Sequence, residues 1–159
     1  MSDPAASPPF TSSLFGIEPG WIDYNGHLNM GYYTVMFDRA ADEAYAEIGF
    51  GPDYLARTGC TTYTAEFHIR YLRELRLDDR VHVSFEVLAC DEKRFHTFQM
   101  MFHRDGWLAA TGESLALHVD TTGPRVTPMP AARLAALSRM QRAGGVWPEG
   151  AGRAITMRR

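Results

Sequence analysis

Residues 29–48 read NMGYYTVMFDRAADEAYAEI and carry the periodicity of one long amphipathic helix. Apolar and small residues recur every three or four positions, at Tyr33, Phe37, Ala40, Ala41, Ala44, Tyr45 and Ile48. Asn29 is placed to cap the first turn, and Gly49 can end the helix in a left-handed conformation. Because the apolar stripe is rich in alanine, the helix can lie close against a sheet, and we expect the sheet to wrap around it.

Downstream of Gly59 the apolar period changes from that of a helix to that of a strand. Long strands are predicted over residues 64–71, 81–87, 95–102 and 108–119. The turns between them are short, so the sheet is predicted to be an antiparallel meander. A short edge strand over 14–18 and a second helix over 130–142 complete an α+β fold.

The composition limits both domain number and partners. The chain has 159 residues, 45% of them hydrophobic and 22% charged, with a formal net charge of -3. This length suits one domain, which we place at residues 14–143 between a flexible tail at 1–13 and a second tail at 144–159. Because the arginines are interleaved with carboxylates rather than clustered, no nucleic-acid partner is expected.

The sequence also lacks the usual signals for membranes, secretion and metals. No apolar run approaches the length of a membrane span, and the N-terminus lacks the basic and apolar regions of a secretory signal. Cys60 and Cys90 are far apart, and the histidines show no metal-binding spacing. We therefore expect a cytoplasmic protein with no membrane partner, no metal and no other cofactor.

Three short motifs add a family resemblance to this pattern. They are DYNGHLN at 23–29, HIRYLRE at 68–74 and GESL at 112–115. With the order of strand, long helix and four long strands, they make residues 14–130 resemble the hotdog-fold acyl-CoA thioesterases, nearest to the 4-hydroxybenzoyl-CoA branch. The resemblance implies a hotdog fold, an antiparallel sheet wrapped around a long central helix.

A finer likeness involves residues 21–29, Tyr32-Tyr33, Phe37-Asp38-Arg39 and 109–113. These residues are similar to those of the betainyl-CoA thioesterases of carnitine breakdown. The family resemblance implies that a small acyl-CoA is the substrate, and this finer likeness implies betainyl-CoA. It also implies a homodimer or homotetramer, because hotdog active sites lie between subunits.

The motif at the helix entrance supplies candidate groups for thioester hydrolysis. In the family branch, an Asp three residues before a Gly is the catalytic carboxylate, which here is Asp23. Asp23 would attack the thioester or activate water, while the backbone amides of Met30 and Gly31 polarise the carbonyl. Asn25 and His27 are candidates to orient Asp23, water or substrate, or else they form a turn and a solvated side chain.

Further residues are candidates for substrate binding. Aromatic rings near the motif would hold a quaternary ammonium or would pack in the core: Trp21, Tyr24, Tyr32, Tyr33, Phe37 and Tyr63. Glu66 and His68 share one strand face, where they would contact substrate or simply face solvent. The phosphates of CoA would meet basic residues, among which we select Arg70, Arg73, Lys93 and Arg94.

Two other functions fit the same fold. Hotdog enoyl-CoA hydratases carry Asp-x-Asn-Pro-x-His, and this chain matches only its first half, since Gly26 replaces the proline and His27 comes one residue early. A non-catalytic acyl-CoA binding protein is the other alternative. Such a sensor needs an output module, and no second domain is visible in this sequence.

Overall fold

The computed structural model describes residues 10–157, which form one antiparallel sheet with helices packed on it. The long strands are β3 (Cys60–Tyr71), β4 (Arg80–Cys90), β5 (Arg94–His103) and β6 (Leu108–Asp120). Short strands β1 (Phe10–Thr11), β2 (Phe15–Gly16) and β7 (Arg125–Val126) pair at its margins. The strand order β1-β4-β5-β6-β3 places β3 at one edge of the sheet.

The long helix α1 (Met30–Ile48) lies on one face of this sheet. Asn29 caps its first turn by accepting a hydrogen bond from the Gly31 N–H, and Gly49 ends it at φ 86°. Both ends are therefore as predicted. Ala40 and Ala44 are fully buried between the helix and the sheet, so the small residues of the stripe do bring the two elements close together.

The core is built from the face of α1 that meets the sheet. Met36 and Phe37 are fully buried near the middle of the helix, and Phe37 packs edge-on against Phe67 of β3. Across the sheet, Gly112 leaves room for this ring, since a Cβ at that position would lie 3.0 Å from Phe67 Cζ. The predicted hotdog architecture is confirmed.

The predicted long strands differ from the structure only at their ends, and larger differences lie elsewhere in the chain. Of the predicted N-terminal tail, residues 1–9 lie outside the described residues, whereas Phe10–Thr11 pairs with β4. The ordered domain therefore begins before residue 14. The sequence analysis also missed the helix α2 (Pro52–Thr58), and the predicted second helix is the shorter α3 (Ala131–Arg139). No described helix is long and apolar enough to cross a membrane.

The segment after α3 is attached to the sheet rather than free. The Arg142 N–H donates a hydrogen bond to the Val87 carbonyl, and the Arg142 guanidinium donates to both carboxylate oxygens of Glu86 on β4. Further on, the Gly152 N–H donates to Glu113 of β6 at 2.8 Å. The described part of the predicted C-terminal tail thus crosses the face of the sheet opposite α1.

Candidate active site

Residues 22–28 form a tight loop that enters α1. Ile22 and Leu28 pair as an isolated antiparallel bridge. Within it, the Asp23 N–H donates to the His27 carbonyl at 2.9 Å, and the Gly26 N–H returns to the Asp23 carbonyl at 3.0 Å. Gly26 takes φ 76°, a conformation that favours glycine. The turn therefore fixes the backbone of Asp23 through short-range hydrogen bonds.

The same loop is attached to the core and to the helix. The Leu28 N–H donates to the Leu75 carbonyl at 2.7 Å, and the Asn29 N–H donates to the Trp21 carbonyl at 2.9 Å. Leu28 and Leu75 are both buried. Because buried backbone bonds hold the loop on both sides, Asp23 has a defined position relative to the first turn of α1.

The first turn of α1 presents backbone amides beside this loop. The Gly31 N–H donates to Asn29 Oδ1 at 3.0 Å, and the Met30 N–H has no acceptor among residues 10–157. An uncapped N–H at the positive end of a helix attracts a developing negative charge. Met30 thus offers the freer of the two predicted donors.

Asp23 and Met30 line one open cleft of about 380 Å³, together with His27, Tyr33 and Tyr71. The Tyr71 hydroxyl, from the end of β3, donates to the Met30 carbonyl at 3.2 Å. Burial raises the pKa of Tyr33 to about 12, so its hydroxyl stays protonated at neutral pH. The cleft therefore combines a carboxylate, an imidazole and the N-terminus of a helix around one space.

The Asp23 carboxylate has one partner among the described residues. Its Oδ1 accepts from the Asn25 N–H at 2.8 Å, the bond of an Asx turn. Asn25 thus contacts Asp23 through its backbone, whereas its side chain is exposed. A half-buried carboxylate oriented by one backbone amide can attack a carbonyl carbon or take a proton from water.

The predicted aromatic residues do not gather around one point. Trp21 stacks on Tyr32 at 5.2 Å between ring centroids, and Arg39 already covers Trp21 with its guanidinium. Tyr33 is buried in the core and meets Tyr71 edge-on. The other three aromatic residues lie in different environments, since Phe37 is fully buried, Tyr24 is 98% exposed and Tyr63 is 48% exposed.

Glu66 and His68 lie on the face of the sheet opposite α1. There they line a second cavity with His96 and Glu113, which pair at 2.7 Å between Nε2 and Oε1. His68 lies directly across from Glu113 in the strand register. The sequence analysis missed His96 and Glu113, because residues on neighbouring strands become adjacent only when the register is known.

The predicted phosphate-binding residues fall into two groups. Arg70 and Arg73 lie at and beyond the end of β3, and the Arg73 guanidinium stacks over Trp107 at 4.0 Å. Lys93 and Arg94 lie at the start of β5, where Arg94 pairs with Asp91 at 2.7 Å. Both groups can be located along β6, where Arg70 pairs with Thr111 and Arg94 pairs with Leu117. Thr111 and Leu117 are about 20 Å apart along the strand, so a single phosphate cannot contact both groups of one chain.

The described residues contain no group of three or more His, Cys, Asp or Glu side chains that could hold a metal ion.

The sequence analysis did not select Tyr71 and Glu74, which also line the Asp23 cleft. Both residues belong to the HIRYLRE motif, so the motif could have indicated them as site residues.

A long helix packed on one face of an antiparallel sheet, with Asp23 in the loop at its N-terminus, is the arrangement expected of a hotdog-fold thioesterase. The chain belongs to the thioesterase-like superfamily, whose family model matches residues 17–137. The expected fold class and family are thereby confirmed.

Similar proteins agree with this assignment. A betainyl-CoA thioesterase of Pseudomonas aeruginosa is 37% identical over 141 residues, covering 86% of this chain and 88% of that protein. An L-carnitine dehydrogenase/betainyl-CoA thioesterase of Agrobacterium fabrum is also 37% identical, over 87% of this chain but only 29% of its own length. A Staphylococcus aureus protein solved in complex with CoA superposes with a TM-score of 0.86 at 26% identity, covering 99% of this chain and 100% of that one.

Proposed function

We propose that this protein hydrolyses a small acyl-CoA to the free acid and CoA, and that betainyl-CoA is its substrate. The observation that carries the proposal is the shared cleft of Asp23 and Met30 at the N-terminus of α1. The names of the similar proteins from Pseudomonas aeruginosa and Agrobacterium fabrum support the thioester and the acyl group.

The carbonyl oxygen of the thioester would accept hydrogen bonds from the first amides of α1. For Met30 this bond is added, whereas for Gly31 it replaces the bond to Asn29 Oδ1. As the carbonyl carbon becomes tetrahedral, its oxygen gains negative charge. The helix terminus then stabilises the transition state more than the ground state, which is what lowers the barrier.

Asp23 would deliver the oxygen nucleophile in one of two ways. It attacks the carbonyl carbon itself, expelling the CoA thiolate and leaving a mixed anhydride that water hydrolyses. Alternatively it takes a proton from a water molecule that attacks. Both routes consume one water and release one carboxylic acid and one CoA thiol. His27, which lines the same cleft, would orient the water or the carboxylate.

We further propose that the active unit is a homodimer, or a homotetramer built from two such dimers, in the cytoplasm. The free edge of β3 supports this, because β3 ends the strand order and its outer side has no strand partner among residues 10–157. Such a long edge is commonly covered by another chain. In a dimer, Arg70 and Arg73 of one subunit and Lys93 and Arg94 of the other would be available to a single CoA. Light scattering after gel filtration should give at least twice the monomer mass.

The catalytic assignment is tested by thiol release from betainyl-, 4-hydroxybenzoyl- and short-chain acyl-CoA. Asp23→Asn keeps the shape of the side chain and removes its charge, so kcat should fall by about 100-fold or more. Asp53→Asn is the matched control, because Asp53 is exposed on α2 and does not line the cleft. Full activity in Asp23→Asn would overturn the assignment. Hydration of crotonyl-CoA without thiol release would overturn the reaction itself.

The two routes for Asp23 are separated by a rapid-quench experiment with enzyme in excess over substrate. Direct attack should add the mass of the acyl group to the peptide that contains Asp23. Water activation should leave that peptide unmodified at every quench time while the thiol is released.

A further inference from the structure

A groove of about 330 Å³ runs along α1. It begins at Gly31 and ends at Tyr45, with Phe67 of β3 as the facing wall and Gln99 of β5 in its lining. At the rise of an α-helix, it is about 20 Å long. We call this space the α1 groove. Because Gly31 belongs to both the groove and the helix terminus, the groove opens where the thioester carbonyl would be held.

The α1 groove contains an unpaired negative charge. Asp38 lines it and makes no ion pair within residues 10–157. Its neighbour Arg39 is directed elsewhere, toward Glu18 at 3.4 Å and over the ring of Trp21. No lysine, arginine or histidine lines the groove. A carboxylate without a basic neighbour favours a cationic occupant.

Gln99 adds a second feature that points to a ligand. Its side chain is 3% exposed, and its Oε1 is buried with no hydrogen-bond partner among the described residues. Such an orphaned acceptor is unfavourable in the free protein. Gln99 lines the groove, and rotation of its amide toward an occupant would pair this acceptor with a positively polarised group.

The negative charge of Asp38 also raises the pKa of neighbouring ionisable groups. Burial raises the pKa of Tyr45, and the charges of Asp38 and Asp42 raise it further. Burial and Asp38 likewise raise the pKa of the Asp42 carboxyl. Asp38 is itself exposed, so its charge reaches the groove partly through solvent.

We infer that the α1 groove binds the acyl group, and that Asp38 and Gln99 select acyl groups with a quaternary ammonium. This inference rests on the proposed thioesterase function and names its specificity-determining residues. In a betainyl group, one methylene separates the ammonium from the thioester carbonyl. With the carbonyl at the helix terminus, the methyl groups would lie near Val35 and Phe67, which both line the groove, and an aromatic ring attracts a cation. Asp38 lies about 10 Å along the helix axis from Gly31, and its side chain leans back toward that position, so it would attract the ammonium at a distance and not by contact.

The test compares two thioesters that differ only in charge. Betainyl-CoA and 3,3-dimethylbutanoyl-CoA have the same shape, since a quaternary carbon replaces the nitrogen. Thiol release gives kcat/KM for both substrates with wild type, Asp38→Asn, Gln99→Leu and the control Glu47→Gln. Glu47 is an exposed carboxylate of α1 that does not line the groove. Melting temperature checks that each variant is folded.

Wild type should prefer betainyl-CoA at least tenfold. Asp38→Asn should remove most of this preference by lowering kcat/KM for betainyl-CoA alone, and Glu47→Gln should retain it. Gln99→Leu should also lower the preference while its stability is equal to or above that of wild type, since an unpaired buried acceptor is removed. A structural role would instead reduce stability and affect both substrates equally.

Two failures are distinguishable. Hydrolysis of both thioesters at equal kcat/KM, unchanged in Asp38→Asn, would overturn the groove assignment and leave the thioesterase function standing. Absence of thiol release from every acyl-CoA would overturn the proposed function. If Asp38→Asn does not fold, the preference measured in Gln99→Leu decides between the same two results.

Discussion

The ion pair between Glu86 and Arg142 holds the segment after α3 on the sheet, and its removal should be costly. Glu86 lies on β4 with its side chain 4% exposed, and both carboxylate oxygens accept from Arg142 Nη1, at 2.9 and 2.8 Å. Arg142→Met keeps the apolar stem and removes the charge. The Glu86 carboxylate is then buried without a counter-charge.

Breaking a buried pair in this way costs about 3–5 kcal/mol. Because the Arg142 side chain is 37% exposed, water reaches the site, and we expect the lower end, about 3 kcal/mol. With a urea m-value of about 2 kcal/mol/M, the unfolding midpoint should fall by about 1.5 M. Tryptophan fluorescence follows the transition, and Arg139→Met on the last turn of α3 serves as the control.

A double-mutant cycle separates this charge effect from other contacts of Arg142, such as its Nε bond to the Val146 carbonyl at 2.8 Å. In a Glu86→Gln background no charge is left stranded, so Arg142→Met should cost about 1 kcal/mol or less. Equal costs of Arg142→Met in both backgrounds would refute the reasoning, as would a shift no larger than that of Arg139→Met.

Three further outcomes concern α1 and its contacts. Asn29→Ala removes the cap on the Gly31 N–H and should lower stability by about 1 kcal/mol in urea titrations, and an unchanged midpoint would contradict the cap. Gly112→Ala places a Cβ 3.0 Å from Phe67 Cζ and should cost about 1–3 kcal/mol, unless Phe67→Leu is added to relieve the crowding, so failure of that rescue would count against it. Tyr33, with its pKa raised from 10.0 to about 12, keeps its proton in the folded chain after the unfolded chain has lost it, so stability falls as pH rises through this window. Tyr33→Phe should make that fall shallower by about 1.4 kcal/mol per pH unit, and identical pH slopes would contradict it.

The sequence predicted α1 well, because its period, its cap at Asn29 and its stop at Gly49 are all local signals. The long strands were predicted for the same reason. Phe10–Thr11 was not, since a strand of two residues exists only through its pairing with β4 and has no period of its own. The helix α2 begins with proline after Gly51 and is too short to show a stripe.

In the candidate site, too, the sequence indicated what is local and missed what depends on contacts between distant segments. Asp23 and Met30 are close in sequence and line one cleft, and their catalytic roles stay predictions. Gln99 and Asp38 line one groove only because β5 passes beneath α1, and His96 pairs with Glu113 only because β5 and β6 are neighbours. The predicted roles of Asn25, His27 and the aromatic and basic residues stay predictions. Contacts between distant segments depend on topology, which periodicity does not specify.

The two faces of α1 have a consequence for altering the enzyme by directed evolution. Phe37 and Ala40 face the sheet and are fully buried, whereas Thr34, Val35 and Asp38 face the groove and retain access to solvent. A combinatorial library confined to the second face changes what the groove contacts without opening cavities in the core. On the proposed assignment of the groove, new acyl preferences can therefore be sought at these positions with little loss of folded protein.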